Sequence, residues 1–158
     1  MLLYHPLLYI HILSAIIMVG ISFANGIGKT FADRTKNVHR MTSVLALTMH
    51  FNKVLMLPSL VILALSGSGL VYVQGLSLFK DWIFQSVIIL FTLFVLFFMG
   101  NDYETRLYSI AKAAEENKQL KMPKEYDEIG KGYYVIGSIV TVAILLVLYL
   151  MVFKKGLF

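Results

Sequence analysis

The stretch LLYIHILSAIIMVGISFANGIG, residues 7–28, decides the fold of this chain. It holds 22 residues without a single Asp, Glu, Lys or Arg. At about 1.5 Å of rise per residue, a helix of that length spans about 33 Å, which is enough to cross a bilayer. His11 lies about one turn inside this span. An ionisable side chain at that depth needs a partner or a ligand, so His11 is the first candidate for a functional residue.

Three more uncharged apolar stretches follow, at residues 54–74, 82–100 and 132–153. Of the 158 residues, 58% are hydrophobic and only 15% are charged, whereas a soluble domain carries about 25% charged residues. We therefore predict an all-α fold, an antiparallel four-helix transmembrane bundle that forms one integral membrane domain over residues 1–158.

Helical spacing continues outside two of these spans. Apolar residues at helical intervals over 41–53 predict a helix leading into span two, and the alanines at 111, 113 and 114 predict a helix continuing beyond span three. Pro58 lacks a backbone N–H and should kink span two. The first span is read as retained rather than as a signal peptide, because no positive charge precedes it and its apolar run is too long.

Composition also excludes several kinds of site. The chain has no cysteine, so disulfides, thiolate metal sites and cysteine nucleophiles are ruled out. The net charge is +5, which in a membrane protein reports topology and anionic lipid rather than nucleic-acid binding. No phosphate-binding loop, zinc-protease motif or pair of carboxylates lies within a span.

The Lys and Arg residues are distributed unevenly between the two sides. The first polar loop holds four and the last polar loop holds six, while the opposite side holds Lys80, Lys154 and Lys155. Positive charge favours the cytoplasmic side. We therefore expect both termini outside, in a bacterial inner (cytoplasmic) membrane.

His11 has three interpretations. It could be a neutral imidazole bonded to a polar neighbour, a haem or metal ligand, or part of a proton or quinone site. The other histidines, His5, His39 and His50, lie near the ends of spans and are interpreted as interfacial or solvated. At the cytoplasmic boundary, Lys53 and Asp102 are expected at similar depth and are predicted to form a structural ion pair.

The arrangement of short motifs resembles a known family. The matching features are His11-Ile12-Leu13-Ser14-Ala15 followed by Gly20, Pro58 with Gly67 or Gly69, Trp82 opening span three, and Tyr149-Leu150-Met151-Val152 followed by a basic residue. They resemble an uncharacterised family of small bacterial four-span predicted integral membrane proteins. More distantly, span one is similar to the HemJ-type protoporphyrinogen oxidase and to CopD-like membrane domains. In the HemJ type a span-one histidine is associated with haem b, which implies that His11 is an iron ligand.

A pocket for that haem b is predicted in the outer half of the bundle. His11 would supply the nitrogen ligand, Gly67 and Gly69 a flat wall, and Gln85 and Tyr149 polar contacts. Two function classes follow. One is a haem-b-binding redox or haem-handling protein, and the other is a non-catalytic accessory subunit or small-molecule carrier. The expected partners are the lipid bilayer, haem or quinone, and a homo-oligomer or larger membrane complex, but no nucleic acid.

Overall fold

The computed structural model describes residues 2–157, and all regular secondary structure within that range is helical. The elements are α1 (Tyr4–Thr35), α2 (Val38–Phe51), a π turn (Asn52–Met56), α3 (Leu57–Val73), α4 (Asp81–Glu116) and α5 (Lys124–Phe153). The π turn joins α2 to α3 without a break, so this part of the chain forms four helical rods, each long and apolar enough to span a membrane. The predicted all-α four-helix transmembrane bundle is confirmed. The protein is a multi-pass integral membrane protein whose helices contact lipid.

The antiparallel rods give the bundle two ends. The loop end carries the connections at residues 36–37 and 117–123, and the terminal end carries the start of α1, the end of α5 and the connection at residues 74–80. His39 contacts Glu115 at the loop end. At the terminal end, the Leu157 N–H donates to Gln85 Oε1 at 2.8 Å. The helices extend beyond the apolar spans mainly at the loop end, as their helical spacing predicted.

The interruption predicted at Pro58 takes the form of the π turn immediately before it. The Leu57 N–H donates to the Asn52 carbonyl, five residues earlier, instead of the usual four. Pro58 has no N–H to offer, and its ring would crowd the carbonyl of Val54 in a regular helix. The wider turn relieves that conflict. The wider turn also rotates the residues before it relative to α3. At this turn Asn52 is buried, while Lys53 is exposed.

Two apolar clusters form the core, one towards each end. The cluster nearer the terminal end consists of Met18, Leu60, Leu63, Leu93, Phe97 and Ile144. The cluster at the loop end consists of Ala32, Met41, Leu45, Leu107, Ala111 and Tyr126. Large apolar side chains such as Ile16, Leu65 and Phe91 point outward, as expected where lipid tails replace water.

Candidate functional site

His11 on α1 is held by Ser66 on α3. The distance from His11 Nδ1 to Ser66 Oγ is 3.0 Å, and the Ser66 hydroxyl donates its one proton to the Ile62 carbonyl at 2.5 Å. The Ser66 oxygen therefore accepts from His11 Nδ1–H, and in a neutral imidazole this leaves the lone pair on Nε2. Within residues 2–157, Nε2 makes no hydrogen bond.

The two glycines predicted as a flat wall are covered by α1. A Cβ atom on Gly67 would lie 3.1 Å from His11 Cε1, and one on Gly69 would lie 3.2 Å from Leu7 Cδ1. Both glycines therefore let α1 approach α3 closely, which is the usual role of small residues between membrane helices. They do not leave open space for a macrocycle on that face.

The other two predicted pocket residues have different partners. Gln85 Oε1 accepts from the Leu157 N–H, and the ring of Tyr149 packs on Phe153 with 4.7 Å between centroids. Neither makes a hydrogen bond to His11 in the described part of the chain. Of the predicted pocket, the structure brings together only His11 and Gly67.

The predicted ion pair between Lys53 and Asp102 is wrong. Asp102 Oδ2 pairs with Arg106 Nη2 at 3.0 Å, one turn along its own helix, and Lys53 is exposed. At this depth the second and third rods are joined by residues close in sequence to Lys53 and Asp102. Asn52 Nδ2 donates to Glu104 Oε2 at 2.7 Å, and both residues are buried.

This contact belongs to a hydrogen-bonded chain to which every rod contributes one residue. Asn25 on α1 donates through Nδ2 to Asn52 Oδ1 at 2.8 Å, and Asn52 donates onward to Glu104 on α4. The Tyr133 hydroxyl on α5 donates to Glu104 Oε1 at 2.8 Å. We call these four residues the polar chain. Each carboxylate oxygen of Glu104 thus receives one neutral donor.

Beside the polar chain, Lys29 is enclosed by tyrosines. Its side chain is only 1% exposed, and Nζ donates to Asp33 Oδ2 one turn further along α1. Nζ lies 4.8, 5.9 and 5.5 Å from the ring centroids of Tyr126, Tyr133 and Tyr134. Aromatic faces attract a cation at such distances, which offsets part of the cost of burying it. The hydroxyls of Tyr126 and Tyr134 complete the arrangement by donating to Asp33 at 3.1 and 2.9 Å.

A groove of about 490 Å³ opens between α1 and α5 in front of the polar chain. We call it the lateral groove. All four residues of the polar chain line it, together with the exposed apolar side chains of Phe23, Ile27 and Phe31 along α1. Gly26 and Gly137 also line it, and a Cβ added to either would meet no atom within 4 Å. Ser22 Oγ, another lining group, is buried without a hydrogen-bond partner within residues 2–157.

The sequence contained signals for this site that were not read. Asn25 is a polar amide inside an uncharged span, and Lys29 and Asp33 are four residues apart, as helical ion pairs require. Tyr126 and Tyr133 are seven residues apart and share a face of α5. Which face of span two turns inward could not be read, because that depends on the π turn.

Comparison with known proteins identifies a family. A family model described as predicted integral membrane protein (DUF2269) covers residues 5–155. No curated protein and no solved structure shows significant similarity to the chain. The match covers all four rods and agrees with the resemblance to an uncharacterised family of membrane proteins. The chain belongs to the DUF2269 family of predicted integral membrane proteins.

Proposed function

We propose that this protein is a non-catalytic carrier or accessory subunit that holds a small amphiphilic molecule in the lateral groove. The observation that carries the proposal is a 490 Å³ groove whose inner wall bears the polar chain. Binding sites for small molecules are typically concave and mostly apolar, with a few converging polar groups. The unpartnered hydroxyl of Ser22 adds a hydrogen-bonding group that a ligand could satisfy.

The two kinds of surface in the groove define the ligand. Asn25, Asn52 and Glu104 offer hydrogen bonds to a polar head, while Phe23 and Ile27 offer apolar surface to a tail. The apolar rims face the region that lipid would occupy, so such a ligand would enter from the membrane. Quinones are one class with this combination of a polar head and an apolar tail.

A tryptophan at Gly137 tests the proposal. Gly137 lines the groove and has no atom within 4 Å of an added Cβ, so the large side chain should fill the groove without disturbing the packing. Titration calorimetry in lipid nanodiscs would measure binding of 1-dodecanol and of dodecyltrimethylammonium, two amphiphiles of equal chain length. We expect the wild type to bind at least one of them and Gly137→Trp to bind neither.

Gly20→Trp is the matched control, because Gly20 is also free of neighbours but lies outside the groove. It should bind as the wild type does. Equal heats for the wild type and Gly137→Trp, which would report only partition into lipid, contradict the proposed function.

A second candidate function is haem-b binding by a redox or haem-handling protein, with His11 as the iron ligand. It is favoured by the tautomer of His11, because Ser66 holds Nδ1 and leaves a lone pair on Nε2. The distant resemblance of span one to HemJ-type proteins also supports it. The imidazole fits an iron, but the covered faces of Gly67 and Gly69 do not fit a macrocycle.

An absorption spectrum tests this second candidate. Protein purified from cells supplied with excess haem precursor should show a Soret band that disappears in His11→Ala and persists in His5→Ala. A colourless, folded preparation, or a Soret band retained in His11→Ala, would exclude His11 as the ligand.

The same proposal includes the orientation in the membrane, with the loop end in the cytoplasm of a bacterial cell and both termini outside. The Lys and Arg distribution of the two polar loops supports it. The absence of cysteine makes single-cysteine labelling direct. A cysteine at Gln119 should resist an impermeant maleimide in intact spheroplasts, and one at Ser77 should react. The reverse pattern would invert the topology.

A further inference from the structure

We propose that the lateral groove takes an organic cation with an apolar body, and that binding of the cation displaces a proton from Glu104. The inference rests on the proposed function of the groove and specifies its ligand. Its basis is that Glu104 is a buried carboxylate in the groove wall with neutral hydrogen-bond donors and no basic partner.

Glu104 is only 4% exposed and lines the groove. Its two oxygens accept from an amide and from a phenol, Asn52 and Tyr133, and no Lys, Arg or His nitrogen lies within 4.0 Å of either in the described residues. Burial is the largest influence on Glu104 and raises its pKa. The donors Tyr133 and Asn52 and the charge of Lys29 offset only part of that, so ionisation without a bound cation is disfavoured. A bound cation would reverse that preference.

The charged and titratable groups around Glu104 leave a place for one positive charge. On α1, Lys29 bonds to Asp33 and also interacts with Asp127 and Glu104, so one cation is opposed to three carboxylates in this part of the bundle. On α5, Tyr133 and Tyr134 are neutral, and the π turn presents only the amide of Asn52. Arg34 also lines the groove, but within the described residues it forms no ion pair with Glu104.

The polar chain can satisfy both protonation states of Glu104. With the carboxylate ionised, donation runs from Asn25 to Asn52 and from Asn52 to Glu104. With the acid protonated, its hydroxyl can donate to Asn52 after both amides rotate by half a turn, because an amide offers a donor on one side and an acceptor on the other. The hydrogen bonds then run in the opposite direction, and no buried group is left unpaired.

The groove also offers aromatic surface to a cation. Phe23, Phe31 and Tyr134 lie along it, and aromatic faces attract ammonium groups most strongly where water is excluded. The exchange balances as one cation bound and one proton released: the O–H bond of Glu104 breaks, its electron pair stays on the carboxylate, and the proton leaves to solvent.

Proton release on binding tests the inference directly. Dodecyltrimethylammonium is titrated into wild-type protein in nanodiscs, in phosphate and in Tris buffer, whose ionisation enthalpies differ. The buffer-dependent part of the heat gives the number of protons released, expected to be close to one per cation. As the pH rises through the range in which Glu104 of the ligand-free protein is protonated, the Kd for the cation should fall about tenfold per pH unit, as linkage requires.

Glu104→Gln keeps the shape of the side chain and one acceptor oxygen, presents a donor in place of the other oxygen as the protonated acid would, and has no exchangeable proton. We expect it to lose proton release and pH dependence and to bind the cation at least tenfold more weakly, while 1-dodecanol binds unchanged. Glu116→Gln, at an exposed glutamate on the same helix outside the groove, is the matched control.

The outcomes separate the two proposals. Binding of 1-dodecanol without binding of the cation, or cation binding to the wild type with no proton released, overturns this inference and leaves the groove as a binding site. Binding of neither amphiphile to the wild type overturns the proposed function itself. The proton count uses only wild-type protein, so it decides the matter even if Glu104→Gln fails to fold.

Discussion

The two ends of the bundle differ in how far their polar side chains bond from one helix to another. Towards the terminal end, the hydroxyls of Ser66, Ser68 and Ser86 each donate to a carbonyl four residues earlier in the same helix. Towards the loop end, Asn25 and Glu104 have partners only on other helices. A serine can satisfy its donor within its own turn, whereas a buried amide or carboxylate needs a neighbouring helix. The loop end therefore joins all four rods through hydrogen bonds, whereas the terminal end has the bond between His11 and Ser66 and is otherwise held mainly by apolar packing.

Removal of the Asp33 carboxylate should have the largest effect on stability. Asp33→Ala leaves the buried ammonium of Lys29 without its partner and takes the acceptor from Tyr126 and Tyr134. Breaking a buried ion pair costs about 3–5 kcal/mol, and the partial exposure of Asp33 places the expected loss near the lower limit. Chemical denaturation in detergent micelles would measure the change.

A second variant distinguishes the orphaned charge from lost packing. Lys29→Met combined with Asp33→Ala should recover part of the stability, because no unpaired charge stays buried. Glu128→Gln, at an exposed glutamate on α5, should leave stability unchanged. A double variant less stable than Asp33→Ala would show that the aromatic enclosure of Lys29, and not its charge balance, stabilises the loop end.

The next largest effect is expected at Gly132, where α5 meets α4 at the loop end. A Cβ there would lie 2.6 Å from Tyr103 Cε1, so Gly132→Ala must displace the Tyr103 ring. Overpacking of this kind costs about 1–3 kcal/mol. Thermal unfolding followed by circular dichroism would report it.

Gly130→Ala is the control on the same helix, since an added Cβ there meets nothing within 4 Å. It should be neutral or stabilising, because alanine favours a helix over glycine by about 1 kcal/mol. Equal melting temperatures for the two variants would mean that α4 and α5 pack less closely at Gly132 than described.

The sequence was sufficient to predict the four rods, but it did not predict how each rod is rotated about its own axis. Uncharged runs long enough to cross a bilayer predicted four spans, and helical spacing predicted their extension at the loop end. The predicted ion pair between Lys53 and Asp102 was wrong because it rested on similar depth alone, and depth does not say which face of a helix turns inward. In the π turn Asn52 is buried and Lys53 is exposed, so the interhelical contact passes to Asn52 and Glu104.

The predicted His11 pocket shows the same limit. Sequence placed His11, Gly67 and Gly69 at similar depth, and the structure confirms that His11 contacts Gly67. Depth alone could not tell whether the glycines leave a cavity or let a helix approach. That depends on how α1 is rotated about its axis. In the structure this rotation places the His11 ring against Gly67 and the Leu7 side chain against Gly69. Whether His11 binds haem stays a prediction.

Gly67→Ala measures how tightly the terminal end is packed. The new Cβ would lie 3.1 Å from His11 Cε1, so the ring must shift by a few tenths of an ångström and its bond to Ser66 must adjust. The overpacking cost is partly cancelled by the helix propensity of alanine, so we expect a net loss below about 1 kcal/mol.

Gly20→Ala, with nothing within 4 Å, is the control for Gly67→Ala in the same membrane region. Thermal unfolding of the two variants in one detergent would give the difference. A loss at Gly67 larger than at Gly132 would contradict the order of the two contacts, because an added Cβ comes within 2.6 Å of a neighbour at Gly132 and within 3.1 Å at Gly67.

The smallest effect is expected at the outer surface of the loop end, where Asp102 pairs with Arg106. Both side chains are more than half exposed, and an exposed pair one helical turn apart contributes about 0.3–0.5 kcal/mol. A double-mutant cycle of Asp102→Asn with Arg106→Gln should return a coupling of that size. The matching cycle of Asp102→Asn with Lys53→Gln should return none, because the π turn leaves Lys53 exposed and Asp102 bonded within its own helix. If the second coupling exceeded the first, the π turn would have a different register in the membrane, and the inward position of Asn52 on which the polar chain depends would be lost with it.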